Sequence, residues 1–383
     1  MAEGDPTPLG YVRTPAEGPA ELSFDGGRPV LAGAVAATPP AAADIGRLRP
    51  FEGVAVRWPA EPAGVLETVR ALAAAGVPVY AEGEVPAWAA GADPGLAGLL
   101  TSWAPGRYGD RDGGPRSVAD LRREEHSLRL RRHAARYAGS GAAPGDGTKD
   151  GVAPQVSVVM ASRRPDLLGG ALAQIARQRR VQVEVVLALH GVPAGQEEVR
   201  RAVAAFPLPI TVLEAGADVP FGEVLDRAAD RAAGADIAKW DDDDWYSPEH
   251  LADLLLARSY SGADIVGTAA EFFYLEPLDV TVRRTDYKSE VWSDHVAGGT
   301  ILVPRAKFHE IGGFERVVRG VDSRFLKAAH AAGARIYRTQ GLGYVLRRTL
   351  AAGHTWQLPL AHFLRVATGQ WRGFRPSHIL EIA

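Results

Sequence analysis

Four consecutive aspartates occupy positions 241–244, between Trp240 and Trp245, in the stretch AKWDDDDWYSPEH. In extended chain, side chains alternate sides, so Asp241 and Asp243 would share one side and Asp242 and Asp244 the other. Two carboxylates ~4 Å apart repel by roughly 4 kcal/mol at an effective dielectric of ~20. Held together at a buried strand end, they need a cation or a proton. Carboxylate oxygens suit Mg²⁺ or Mn²⁺, ions that commonly bridge protein carboxylates to a nucleotide's phosphates and can stabilise a departing diphosphate. A bare run of four aspartates is more often a solvated loop. Here it follows an apolar strand directly and is fenced by two tryptophans. SPEH then opens a helix, with Ser247 expected as N-cap and Pro248 at the first position. A calcium loop of EF-hand type is disfavoured, because neither the glycine nor the terminal glutamate falls at the required spacing.

The elements that must hold this turn can be read on either side of it. Strands are expected at 155–162, 183–191, 208–215 and 235–240, with helices at 165–178 and 221–234 between them. Strands alternating with helices of about a dozen residues argue a three-layer α/β sandwich on a mostly parallel sheet. In such sheets ligands bind beyond the C-terminal strand ends, which is where the aspartates fall. Ahead of this lies a smaller α/β domain, 28–138, with a βαβ-like order and no phosphate-binding glycine fingerprint. Its last segment, 117–138, reads as a charged helix with a solvent face and a narrow apolar stripe of Val118, Leu121 and Leu128. Residues 1–27 read as a flexible arm, 139–153 as a Gly- and Ala-rich linker, 154–357 as the main domain and 358–383 as a tail.

Further along, VAGGTILVPRAKFHEIGGFERVVRGVDSRFLKAAHAAG (296–333) combines a glycine turn feeding a strand, a short helix closed by glycines, and a second helix with Asp322 expected at its N-cap. RRTLAAGHTWQ (347–357) sets His354 in a loop beside Trp356. In this order, these motifs make residues 155–357 resemble the inverting glycosyltransferases of family 2, with the GT-A fold. DDDDW resembles that family's DxD-type motif, GGTILVPRAKFHEIGGFE its acceptor-side glycine segment, and GVDSRFL the segment that carries its catalytic base.

The resemblance implies a metal-dependent, hexosyltransferase-type enzyme that moves a sugar from a nucleotide diphosphate donor to an acceptor hydroxyl. Asp322 would be the general base. Asp241 would contact the ribose or a metal-bound water. Asp243, with Asp244, would bind Mn²⁺ or Mg²⁺ on the diphosphate, and His354 would complete the metal shell. Ser162, Arg163 and Arg164, in VVMASRRPD, would lie near the base or diphosphate, and Gly299 would line the donor site. One departure stands out: the second strand, which in this family often ends in an acidic pair, ends here in LALHG. Either His190 takes over the base contact or the donor nucleotide differs.

Bulk composition narrows the alternatives. The chain has 383 residues, 46% hydrophobic and 23% charged, enough to bury a sizeable core in two domains. The absence of cysteine excludes disulfides, thiolate catalysis and zinc ribbons. A net charge of −3 gives no global field for nucleic acid. No apolar run is long enough for a transmembrane span, and the N-terminus lacks the pattern of a signal peptide, so a cytoplasmic location is expected. The tail, LPLAHFLRVATGQWRGFRPSHILEIA, mixes aromatics with arginines. It is expected to pack on the body or a second subunit, or else to touch a membrane surface or lipid-linked acceptor. The expected partners are a nucleotide-sugar donor and a hydroxyl-bearing acceptor, with homo-oligomerisation left open. The competing reading is a non-catalytic nucleotide-sugar or carbohydrate-binding protein on the same fold, which would bind donor without turning it over. A sugar-phosphate nucleotidyltransferase is disfavoured, since ASRRPD lacks that class's glycine-rich loop.

Overall fold

The computed structural model describes residues 15–60, 63–108, 117–138, 153–284, 286–349 and 358–382, without the side chains of 136–138. It divides into two compact units, Met1–Gly151 and Val152–Ala383.

The first unit is built on strands β1 (Ala20–Asp25), β2 (Arg28–Leu31), β3 (Ala34–Val35), β4 (Val54–Val56) and β5 (Val79–Tyr80), in the order β3-β2-β1-β4-β5. Its helices are α1 (Ala42–Arg47), α2 (Val65–Ala74), α3 (Ala87–Ala92), α4 (Pro94–Ser102) and α5 (Val118–Ala138). The middle strand, β1, lies inside the stretch expected to be a flexible arm. Two features make it a strand. Ala20 and Leu22 alternate inward, and Gly26 and Gly27, at φ 53° and 78°, turn the chain back so that β2 pairs antiparallel with it.

Helix α5 corrects a second expectation, since most of its polar side chains are buried and Val118 is 42% exposed. They cap carbonyls that the strands and loops leave unpaired. Arg123 donates to the carbonyls of Phe51 and Glu52, Ser127 to that of Gly76, and His126 Nε2 to that of Val79 at 2.8 Å. His133 and Arg70 both pair with the buried carboxylate of Asp93, at 2.9 and 2.8 Å. Burial lowers the His126 pKa to about 4. A histidine depressed when folded contributes stability that is full above its unfolded pKa of ~6.5 and is lost as pH falls towards 4. The shift corresponds to about 3 kcal/mol. Acid titration monitored by Trp103 fluorescence, whose ring stacks on His126 at 4.9 Å, is expected to show unfolding of this unit in that window. H126Q is expected to remove that pH dependence, and a profile identical to wild type would refute the assignment.

The second unit carries β6 (Gln155–Ser162), α6 (Pro165–Ala176), β7 (Gln182–His190), α7 (Glu197–Ala205), β8 (Ile210–Ala215), α8 (Phe221–Ala229), β9 (Asp236–Trp240), β10 (Trp245–Tyr246), α9 (His250–Ser261), β11 (Ile265–Thr268), β12 (Phe272–Leu275), β13 (Val280–Arg284) and β14 (Val291–Trp292). It continues through β15 (Leu302–Pro304), α10 (Arg305–Ile311), α11 (Val321–Ala331), β16 (Ile336–Thr339), β17 (Tyr344–Arg348), α12 (Leu360–Val366) and β18 (Ala367–Arg372). Eight strands form one sheet in the order β14-β16-β11-β15-β9-β6-β7-β8. Its half β9-β6-β7-β8 is parallel throughout, and β15 runs antiparallel between β9 and β11. Alternate residues feed two apolar layers. Met160, Leu187, Ala238 and Trp240 pack with α6, α7 and α9. Val159, Val186, Ile237 and Ile301 pack with α8, α10 and α11 on the other face. The α/β, three-layer, mostly parallel architecture read from the sequence is therefore the one observed, with a smaller α/β unit before it.

A second, separate sheet has the order β10-β17-β12-β13-β18. It draws in the tail: β18 pairs antiparallel with β13, and Phe363 packs on Phe273 at 4.8 Å. The main domain thus runs on past 357, because the tail supplies an edge strand and its apolar cover. Among the described residues, no helix is long and apolar enough to cross a membrane.

Candidate active site

Strand β9 ends at Trp240, buried between sheet and helices, and the chain leaves it in a tight turn that returns as β10. Trp245 and Tyr246 pair with Val345 and Tyr344 of β17, and the Ser247 N–H donates to the Gly343 carbonyl. Ser247 is therefore held by the second sheet. Helix α9 starts later than the sequence suggested, at His250, with Glu249 rather than Ser247 at its N-cap.

Because the aspartates form a turn, strict alternation does not hold, and each carboxylate has a distinct partner. Asp241 lies on the same face of the chain as Lys239, two residues back. The buried Lys239 Nζ reaches Asp241 Oδ1 at 2.6 Å and Asp322 Oδ1 at 3.2 Å. Burial opposes the ammonium, but Asp241 and Asp322 outweigh it and raise its pKa above the ordinary lysine value. Asp242 accepts from Ser162 Oγ at 2.5 Å and pairs with Arg164. Asp243 shares that guanidinium, at 2.7 Å. Burial works against the Arg164 charge as well, and the two carboxylates more than offset it. Ser162 and Arg164 are thus committed to the acidic turn itself.

Asp244, expected beside Asp243 on a metal, is turned elsewhere. Its oxygens accept from Tyr344 Oη at 2.5 Å and the Arg347 N–H at 2.9 Å, fastening the turn to β17. Burial, then the charges of Asp243 and Asp241, push its pKa well above the usual carboxylate range.

Asp322 reaches the site from α11. The N-cap of that helix is Gly320, at φ 72°, so Asp322 is the second helical residue rather than the cap. The left-handed glycine turns the chain into the helix before Asp322 is reached. Its carboxylate is therefore not used as a cap. Gly298 and Gly299 form the floor. A Cβ on Gly298 would lie 2.2 Å from Asp322 Oδ2, and one on Gly299 would lie 2.6 Å from Asp241 Oδ2. Tyr246 Oη locks the same corner, accepting from the Asp241 N–H at 2.9 Å and donating to the Gly299 carbonyl at 3.0 Å.

His190 ends β7, stacks on Phe221 at 6.1 Å, and faces Arg163, whose Nε donates to Nδ1 at 3.0 Å. Burial and the Arg163 charge lower its pKa, favouring the neutral ring that accepts this bond. His354 lies outside the described residues. The structure thus joins Asp241 to Asp322, joins Ser162 and Arg164 to Asp242 and Asp243, and joins Arg163 to His190. Lys239 was not singled out from sequence. Its signal was a lysine in a short strand among Ile237, Ala238 and Trp240, two residues before Asp241.

Among the described residues, no group of three or more His, Asp or Glu side chains is arranged to hold a metal. A divalent ion bridging to phosphates needs only one or two carboxylates, with the remaining ligands from phosphate and water. Asp243, whose Oδ2 pairs with Arg164, offers a hard oxygen donor of the kind such an ion takes, whereas both oxygens of Asp244 are held by β17. A cavity of about 300 Å³ between β8 and α8, lined by Leu213, Glu214, Val224, Arg227 and Asp230 among others, includes neither the acidic turn 241–244 nor Asp322.

No protein-family model matches the chain, and no curated protein matches it. Among solved structures, it is similar to the mannosyltransferase PcManGT from Pyrobaculum calidifontis in complex with GDP-Man and Mn²⁺. That match has 19% identity and a TM-score of 0.43, over 53% of this chain and 59% of that one. It is also similar to S. aureus TarS 1–349 in complex with UDP-GlcNAc, at 15% identity and a TM-score of 0.44, over 55% of this chain and 64% of that one. The chain spans about three fifths of the length of these two structures.

Proposed function

We propose that the protein is an inverting glycosyltransferase with a GT-A fold that transfers a hexose-type sugar from a nucleotide diphosphate donor to an acceptor hydroxyl. The observation that carries this reading is the meeting of Asp241 and Asp322, 81 residues apart in sequence, on one buried ammonium beyond the C-terminal end of a parallel strand. Ligand sites of open α/β sheets form at such ends. The resemblance of 155–357 to family 2 assigns the same two carboxylates to donor and base.

In this reading Asp322 accepts the acceptor's proton as the hydroxyl oxygen attacks the anomeric carbon and the donor's diphosphate leaves. It lies in the first turn of α11, next to the unpaired backbone N–H groups of that helix end. Asp241 orients the donor. Asp243 is the ligand assigned to Mg²⁺ or Mn²⁺, which when bound offsets the charge of the diphosphate. Arg163, just past β6, and His190, at the end of β7, are a cation and a neutral ring in contact and are assigned to the nucleotide base.

The test is thermal shift against nucleoside diphosphates and nucleotide sugars, with and without Mn²⁺. Ligand at 100 times its Kd stabilises by about 2.7 kcal/mol. Wild type is expected to show a nucleotide shift that Mn²⁺ increases, and D243N to lose that increment. No stabilisation by any nucleotide sugar would refute the reading, and an undiminished Mn²⁺ increment in D243N would refute the metal assignment. Stabilisation without turnover on any acceptor would instead favour a binding protein.

A further inference from the structure

We infer that Lys239 is a positioning residue that sets the Asp322 carboxylate against Asp241, so that base and donor-orienting group work as one unit. The inference rests on the glycosyl-transfer reading and extends it to a residue outside the acidic turn. The geometry is unusual for a lysine. Lys239 pairs in register with Val159 inside the parallel sheet, and its backbone N–H donates to the Ile301 carbonyl. Its stem shares a strand face with Ile237, and the layer on that side contains Val159, Val186 and Ile301. Only 3% of the side chain is exposed. A charge is not stable there unless it is paired, and both partners are carboxylates assigned to the reaction.

Each carboxylate meets the ammonium through Oδ1, while its Oδ2 faces the glycine floor, Asp241 towards Gly299 and Asp322 towards Gly298. One ammonium thus fixes the separation of two groups borne on different elements, β9 and the start of α11. Asp322 makes no cap bond that would fix it instead. Without the cation, two like charges would face each other at close range, and the more mobile would swing away. Arg164 does not substitute, since its partners are Asp242 and Asp243.

A structural lysine and a positioning lysine differ in whether their effect needs the base. The experiment is therefore a double-mutant cycle of K239M and D322N, read by single-turnover transfer from a labelled donor, with donor Kd and melting temperature measured for each variant. K239M is expected to lower turnover at least tenfold in the wild-type background, more than it raises donor Kd. In the D322N background the same change is expected to cost less than about twofold, because there is no base left to position. Equal losses in the two backgrounds, or K239M turnover within about twofold of wild type, would overturn the assignment. If K239M does not fold, the same cycle is run with K239R, which keeps the charge but shifts its reach. Wild type is the control for the underlying reading. If it turns over no donor, glycosyl transfer fails and this inference with it; if wild type is active and the cycle is additive, only the lysine assignment fails.

Discussion

D322N is expected to lower glycosyl transfer by about 10²–10⁴-fold, the usual contribution of a positioned general base. Donor affinity is expected to stay within about threefold, since the base acts on the acceptor. The substitution is nearly isosteric. The asparagine side chain would fill the same space above Gly298 and could still accept from Lys239 through its carbonyl oxygen. What it cannot do is take a proton. The fold has little reason to fail, because Asp322 caps no helix and Gly320 already turns the chain into α11. Single-turnover transfer and donor titration on the same preparation separate the outcomes. Normal turnover would place the base elsewhere, and a loss of donor affinity matching the loss of turnover would make Asp322 a donor contact instead.

The sequence disclosed the parts of this site that follow from period and punctuation. Strands 155–162 and 235–240 are short, mostly apolar segments that feed a parallel sheet, so the aspartates had to emerge at a C-terminal strand end. What stayed hidden depends on tertiary partners. Alternation suggested a division of Asp241 and Asp243 from Asp242 and Asp244. The turn after Trp240 replaces it, and Asp242 and Asp243 share Arg164. The carboxylate cluster did call for cations. Two come from this chain, Arg164 two residues past β6 and Lys239 within β9, and no local pattern links either to Asp322, 83 residues beyond Lys239. Helix α5 misled for the same reason. A charged helix usually faces water, and only the tertiary structure shows that its arginine, serine and histidine side chains meet orphaned carbonyls of the first unit. Strand β1 was hidden by its glycine- and proline-rich surroundings, although Leu22 was available as an anchor.

G298A tests the active-site geometry without removing any functional group, and its expected signature is a large loss of turnover in a protein that still folds. The new methyl carbon would lie 2.2 Å from Asp322 Oδ2 and 2.6 Å from its Cγ, too close for either to remain. The obstructing atoms are the far end of a side chain, so relief is cheap for the fold: the carboxylate swings aside. It is costly for the chemistry, since a displacement of ~1 Å at a reacting group can cost about 10²-fold. G299A is expected to behave differently. Its methyl would meet both Asp241 Oδ2 and Tyr246 Oη, at 2.6 and 2.8 Å. Tyr246 cannot yield easily, being fully buried, stacked on Trp240 at 3.7 Å and bonded to Gly299 itself. Overpacking at such a point costs about 1–3 kcal/mol, so G299A should lose melting temperature as well as donor affinity. G169A, on α6 with nothing within 4 Å of the added carbon, is the control. Replacing a helical glycine there should stabilise by about 0.5–1 kcal/mol and leave turnover unchanged. If G298A turns over donor like G169A, the carboxylate of Asp322 does not need the position the glycine floor gives it, and the assignment of Asp322 as base falls even if D322N is inactive.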